Sequence, residues 1–266
     1  RTLKGKPKKI RVCPHCQKGG HQEQIKSTGE HRGAVPVLVS YICENGCKPA
    51  RGERRHDDPD LKKREYFEKY DLAKINEIQS KDIPHWYPDA DLAEAIPYRM
   101  LHKKDFRPED ASRLKDLFTK RNLWALAAIK KYLTHSNIDI RILLTWVLFK
   151  CSRMMRFCDD GIGRIMMGTY YIPQIGRDSN VMSYIHEGFG QLVQHHSAKI
   201  KEFPNEDLNV IISTQDSREL KYILNNSVDY IFTDPSYADK VQYGELNFPW
   251  EAWLNFDTNW HSDEIV

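Results

Sequence analysis

The stretch Val228-Asp229-Tyr230-Ile231-Phe232-Thr233-Asp234-Pro235-Ser236-Tyr237 is an apolar run that ends in an acid, a proline and an aromatic. A carboxylate at Asp234, a peptide oxygen at Pro235 and the ring of Tyr237, delivered together, suit the grip of a planar heterocycle carrying an exocyclic amine. The two oxygens accept the amine's N–H groups and raise electron density on its nitrogen, while the ring stacks on the heterocycle's face. Proline fixes φ, so its carbonyl is aimed without further ordering.

A second group of residues can hold a metal. Cys13-Pro14-His15-Cys16 and Cys43-Glu44-Asn45-Gly46-Cys47 are two close pairs, each able to occupy two corners of a tetrahedron. The residues between them can form a hairpin, and Val35 to Ile42 reads as an extended run leading into the second pair. The pattern is that of a zinc ribbon with Cys13, Cys16, Cys43 and Cys47 as ligands. Four thiolates close the shell without His15 or His21, so the zinc is expected to be structural. Disulfides are the competing reading, disfavoured because no secretion leader opens the chain. The ribbon could touch DNA or brace the fold, and both roles stay open.

These groups need elements to position them. Val228 to Thr233 reads as a strand that delivers the motif to its C-terminal edge. Asn209 to Ser213 reads as the preceding strand, and Ser217 to Asn225 as the helix between. Continuous apolar strands in that succession imply parallel pairing, hence an α/β sheet. Upstream, Thr119 stands where an N-cap belongs, ahead of an apolar helix. Further helices are expected over Asp139 to Cys158, apolar nearly all round, and over Val181 to Glu202. Cys151 and Cys158 then share a helix face as core residues. Residues 82 to 108, with Pro84, Pro88, Pro97 and Pro108, read as an ordered connector wrapped over another surface.

The 266 residues suffice for one large or two modest domains, and 40% apolar content can bury a core. Three regions follow: a basic arm and zinc ribbon over 1–50, a charged helix and Pro-rich connector over 51–108, and a helical and α/β region over 109–266. Net charge is only +3, yet residues 1 to 70 hold 17 Lys and Arg against 9 Asp and Glu. Lys8, Lys9 and Arg11 belong to an acid-free run suited to phosphate contact, though such runs are also common as plain solvated tails. No long apolar span points to a membrane, so a soluble, cytoplasmic protein is expected.

The motif and its surroundings resemble the DNA amino-methyltransferases, specifically the adenine-specific DNA methylases that contain a zinc ribbon. The resemblance rests on Thr233 to Tyr237, on its extension Ala238 to Leu246, and on Trp250 to Leu254. It also takes in Phe118-Thr119-Lys120-Arg121-Asn122-Leu123, Ser152-Arg153-Met154 and the paired cysteines. It implies an incomplete Rossmann-like, methyltransferase-like parallel sheet with helices. It also implies S-adenosylmethionine as methyl donor, DNA as partner and a flipped base, adenine before cytosine, as acceptor. Asp234, Pro235 and Tyr237 take the catalytic roles, and Asp216 stands where related folds place a residue near the cofactor's adenine.

Two departures from the family pattern stand out. Ser236 replaces the second proline of the motif, which removes one φ constraint. The glycine-rich cofactor turn is absent, since Asp159-Asp160-Gly161-Ile162-Gly163 follows a helical stretch and reads as a helix-ending turn. The chain is therefore expected to be an interior segment, inactive by itself, with the cofactor turn upstream and later strands downstream. A DNA-binding module with a decayed methylase site is the rival expectation.

Overall fold

The computed structural model describes residues 35–36, 67–92, 111–133, 138–158, 163–166, 168–202, 212–213, 215–216, 218–235, 243–257 and 261. The chain divides into two units, Arg1–Pro36 and Val37–Val266. Among the described residues every regular element is helical, and all belong to the second unit. A π-helical segment, Phe67–Leu72, runs into α1 (Ala73–Ser80). A 3-10 turn, Leu114–Leu117, precedes α2 (Lys120–Leu133). Then follow α3 (Ile138–Lys150), α4 (Val181–Glu202) and α5 (Tyr243–Leu254).

Local chemistry sets the helix ends. Thr119 caps α2, its Oγ1 accepting the Asn122 backbone N–H at 3.3 Å. Asn180 does the same for α4, its side-chain oxygen accepting from the N–H groups of Met182 at 2.9 Å and Ser183 at 3.2 Å. The third helix ends at Lys150, short of the expected Cys158, because Ser152 competes with the helical ladder. Its Oγ donates to the Phe149 carbonyl at 2.7 Å and accepts the Met154 N–H at 3.2 Å. Cys151 is buried and Cys158 only partly so, on the irregular chain beyond the helix. Asn255, with φ 59°, closes α5 in the left-handed region, and the Phe256 N–H reaches back to the Glu251 carbonyl at 2.9 Å.

The core lies where α2, α3, α4 and α5 meet, with α3 against α4 as the most extensive pairing. Gly188 of α4 permits that closeness: a methyl group there would come within 2.9 Å of the Trp146 ring and would also strike Leu143. Of the connector, the described residues reach Leu92, which is buried. Backbone bonds from Leu92 to Ser112 (3.0 Å) and from Leu114 to Ala90 (2.9 Å) hold it in place. Asp89 reinforces this by accepting from Arg113 Nε at 2.6 Å and Lys115 Nζ at 3.0 Å. Among the described residues no helix is long and apolar enough to cross a membrane.

The expected α/β fold with a parallel, Rossmann-like sheet is overturned. Among the described residues there is no strand or sheet, only isolated bridge pairs: Asp91 with Arg113, and Arg156 with both Arg164 and Gly176. Residues 228–233 are irregular, with Tyr230, Ile231 and Phe232 exposed by 79%, 73% and 79%. Ile212 and Ser213, of the other expected strand, are likewise irregular and exposed. No helix runs through 218–225, where Leu220 adopts a φ of 29° and turns replace it. The physical reason is that an apolar run records a capacity for burial, not the presence of a neighbour. A parallel strand needs ladder partners at its edges and helices over its faces. Here the helices have already filled the core with one another.

Candidate functional site

Asp234 and Pro235 lie on the exposed irregular chain, and the described residues resume at Tyr243, the start of α5. That helix anchors the region. Trp253 is fully buried and meets Phe118 edge to face at 5.7 Å between ring centroids. Trp250 stands edge-on to Phe149 at 4.7 Å and donates its Nε1 proton to the Thr145 carbonyl at 2.8 Å. Pro249 inside α5 removes the N–H that would bond the Glu245 carbonyl four residues earlier. The buried hydroxyl of Tyr170 donates to that same carbonyl. Burial, with Glu245 and Glu251 nearby, pushes the Tyr170 phenol well above its ordinary range, so it stays a donor.

A second polar centre joins the starts of α2 and α4 to the end of α3. The buried Asn122 amide donates to the Cys151 carbonyl (2.9 Å), the Ser179 carbonyl (2.9 Å) and Asp178 Oδ1 (2.7 Å). Asp178 also accepts from Thr119 Oγ1 at 3.0 Å and pairs with Arg121 at 3.0 Å. Burial raises the Asp178 carboxyl above its usual range, against the opposing pull of Arg121 and Thr119. Arg153 completes the arrangement: its N–H bonds the Leu117 carbonyl at 2.7 Å, and its guanidinium bonds the Asp116 carbonyl at 2.7 Å. Nothing in the apolar periodicity announced this centre. The one sequence signal was the polar run Asp178-Ser179-Asn180 just ahead of α4.

Asp216 is exposed, and its carboxylate is engaged by Arg218 through Nε at 2.9 Å, Nη2 at 2.6 Å and the backbone N–H at 2.8 Å. Those bonds hold its carboxyl down at about 2. As it stands, Asp216 offers a cofactor little free acceptor capacity. Tyr237, Ser236, the expected zinc ligands Cys13, Cys16, Cys43 and Cys47, and the basic Lys8, Lys9 and Arg11 lie outside the described residues. Among the described residues no cluster of three or more His, Cys, Asp or Glu could hold a metal ion. A cavity of about 250 Å³ opens between α3 and α4, lined by Ile142, Leu143, Trp146, Gly188, Gln191, Leu192 and His195. Neither Asp234 nor Pro235 borders it.

Comparison of the chain with family models, curated proteins and solved structures gave no match. The functional reading therefore stands on the residues themselves.

Proposed function

We propose that the protein takes part in transferring a methyl group from S-adenosylmethionine to the exocyclic amine of a DNA base, adenine in preference to cytosine. Asp234 and the Pro235 carbonyl accept the two amine N–H groups, and Tyr237 stacks on the extruded ring. The amine lone pair forms the new bond to the methyl carbon as the carbon–sulfur bond breaks, and the displaced proton passes to the Asp234 carboxylate or to water. The solvent position of Asp234 and Pro235 suits a substrate that arrives from outside the fold. Cys13, Cys16, Cys43 and Cys47 would hold a structural zinc, and Lys8, Lys9 and Arg11 would meet phosphates.

One observation carries the reading. Phe118 to Leu123, Ser152 to Met154 and Trp250 to Leu254 are distant in sequence and resemble one family, and they also meet in space. Phe118 packs on Trp253, and the turn that holds Ser152 to Met154 is tied to Asn122 through the Cys151 carbonyl. Their meeting in one helical core is what supports the reading, without the parallel sheet that the resemblance implied.

A second reading, a DNA-binding module without catalysis, draws on Ser236 in the motif and on the engagement of Asp216 by Arg218. Incubating the intact protein with duplex DNA and S-adenosylmethionine labelled in its methyl group separates the two. Label recovered as N6-methyladenine supports methylation; DNA bound without any label transferred supports the module.

A further inference from the structure

The cavity between α3 and α4 has a lining that restricts what can enter it. Its volume is about 250 Å³, and an apolar void of about 150 Å³ already admits benzene. A bicyclic ring therefore fits. Leu143, Trp146 and Leu192 supply apolar wall, with the half-exposed Ile142 at the opening. Trp146 is held before any ligand arrives: Lys150 Nζ stands 3.1 Å from its ring centroid, and Tyr184 meets it edge to face at 6.0 Å. A wall fixed in advance saves a flat ligand the cost of ordering it.

No Lys, Arg, Asp or Glu is among the lining residues, so a phosphate or carboxylate finds no counter-charge there. The Lys150 ammonium on the same indole works against a second cation. What remains is a neutral, flat ring. Gln191 and His195 choose among such rings. They line the cavity one turn apart on α4, both exposed, and among the described residues neither makes a hydrogen bond. A glutamine amide sets one donor beside one acceptor, which matches the N7 acceptor and N6 amine of adenine; guanine shows two acceptors on that edge. The imidazole adds a partner able to donate or accept.

We infer that this cavity holds an adenine ring, stacked on Trp146 and read along its edge by Gln191. Asp234 and Pro235 do not border it, so the site stands whether or not a methyl group is transferred. Saturation-transfer NMR and calorimetry on the full chain, with adenosine and guanosine as probes, provide the test. Adenosine should bind about tenfold more tightly than guanosine. Gln191→Leu keeps the wall and should erase that preference. Ile142→Trp, at a half-exposed position, should fill the opening and weaken both nucleosides by about tenfold or more. Circular dichroism identical to the parent's establishes that each variant is folded. Should Ile142→Trp not fold, Gln191→Leu, on an exposed site, still decides the matter.

Adenine rings occur in S-adenosylmethionine and in DNA. Loss of S-adenosylmethionine binding in Ile142→Trp assigns the ring to the cofactor; loss of affinity for single-stranded oligodeoxyadenylate alone assigns it to a DNA base. No saturation transfer from the parent protein to adenosine, or transfer unchanged in folded Ile142→Trp, would overturn the site. Equal affinity of the parent for adenosine and guanosine would overturn the adenine assignment and leave a plain apolar hollow. These measurements read binding alone, so adenosine bound without methyl transfer would sink the methylation reading and leave the adenine site standing.

Discussion

The Tyr170 hydroxyl donates to the Glu245 carbonyl, the acceptor that loses its helical donor to Pro249. A helix-interior proline ordinarily leaves such a carbonyl to water or to a kink. Here a buried phenol from the chain between α3 and α4 fills the gap and fastens α5 to the core.

Tyr170→Phe keeps the ring and removes the donor, so it should cost about 1 to 3 kcal/mol. In a Pro249→Ala background the helix supplies its own donor, and the same substitution should cost clearly less. A double-mutant cycle by urea unfolding checks the coupling; strict additivity would mean that the hydroxyl does not serve the proline's gap.

Asn122→Ala removes the donor shared by two carbonyls and a carboxylate, and leaves them partly buried. The expected destabilisation is about 2 to 4 kcal/mol. Asp178 adds a pH signature. Its carboxyl is raised in the folded state, so its protonated form is the better accommodated one. The stability it contributes is fully present below the ordinary aspartate value of 3.8 and is lost as pH rises through the raised value. Relative to Asp178→Asn, the parent protein should therefore lose stability as pH climbs from 3.8 through the raised value, and the difference should level off above it. Chemical denaturation of both proteins at stepped pH measures this, and a difference that grows in the opposite sense would contradict the raised carboxyl of Asp178.

Gly188→Ala tests the closeness of α3 and α4. Alanine favours a helix by about 1 kcal/mol over glycine, yet the added methyl meets Trp146 and Leu143. Overpacking of about 1 to 3 kcal/mol should prevail, seen as a lowered Tm. A raised Tm would mean that the two helices part at little cost.

Zinc is measured separately. Native mass spectrometry should find about one zinc ion per chain, lost when Cys13 and Cys16 are replaced by Ser. Retention of the ion in that variant would remove the ribbon from the account.

Of the helices, α2, α3 and α4 were legible in the sequence because their apolar period and caps are local, whereas α1 and α5 were not read and turns stand over 218–225 where a helix was expected. Val181 to Glu202 coincides with α4, and Thr119 caps α2 as its position implied. The end of α3 was not legible, since it depends on which acceptor the Ser152 hydroxyl chooses. Nor was the state of Val228 to Phe232, whose apolar residues promise a strand that forms only with neighbours. The Asn122 centre, the Tyr170 contact and the Arg156 pair escaped for one shared reason. Each joins residues whose meeting is decided by tertiary packing, with no periodic trace along the chain. The Asp234 motif is the opposite case: its chemistry is written in consecutive residues, while its surroundings are not.

Methyl transfer by Asp234→Ala, set beside that of the parent protein, tests the central claim most directly. Nucleosides from duplex DNA treated with S-adenosylmethionine are resolved by mass spectrometry, and DNA affinity is measured in parallel. The account predicts N6-methyladenine with the intact parent protein and none when the intact protein carries the substitution, at nearly equal affinity. Undiminished N6-methyladenine from Asp234→Ala would contradict it.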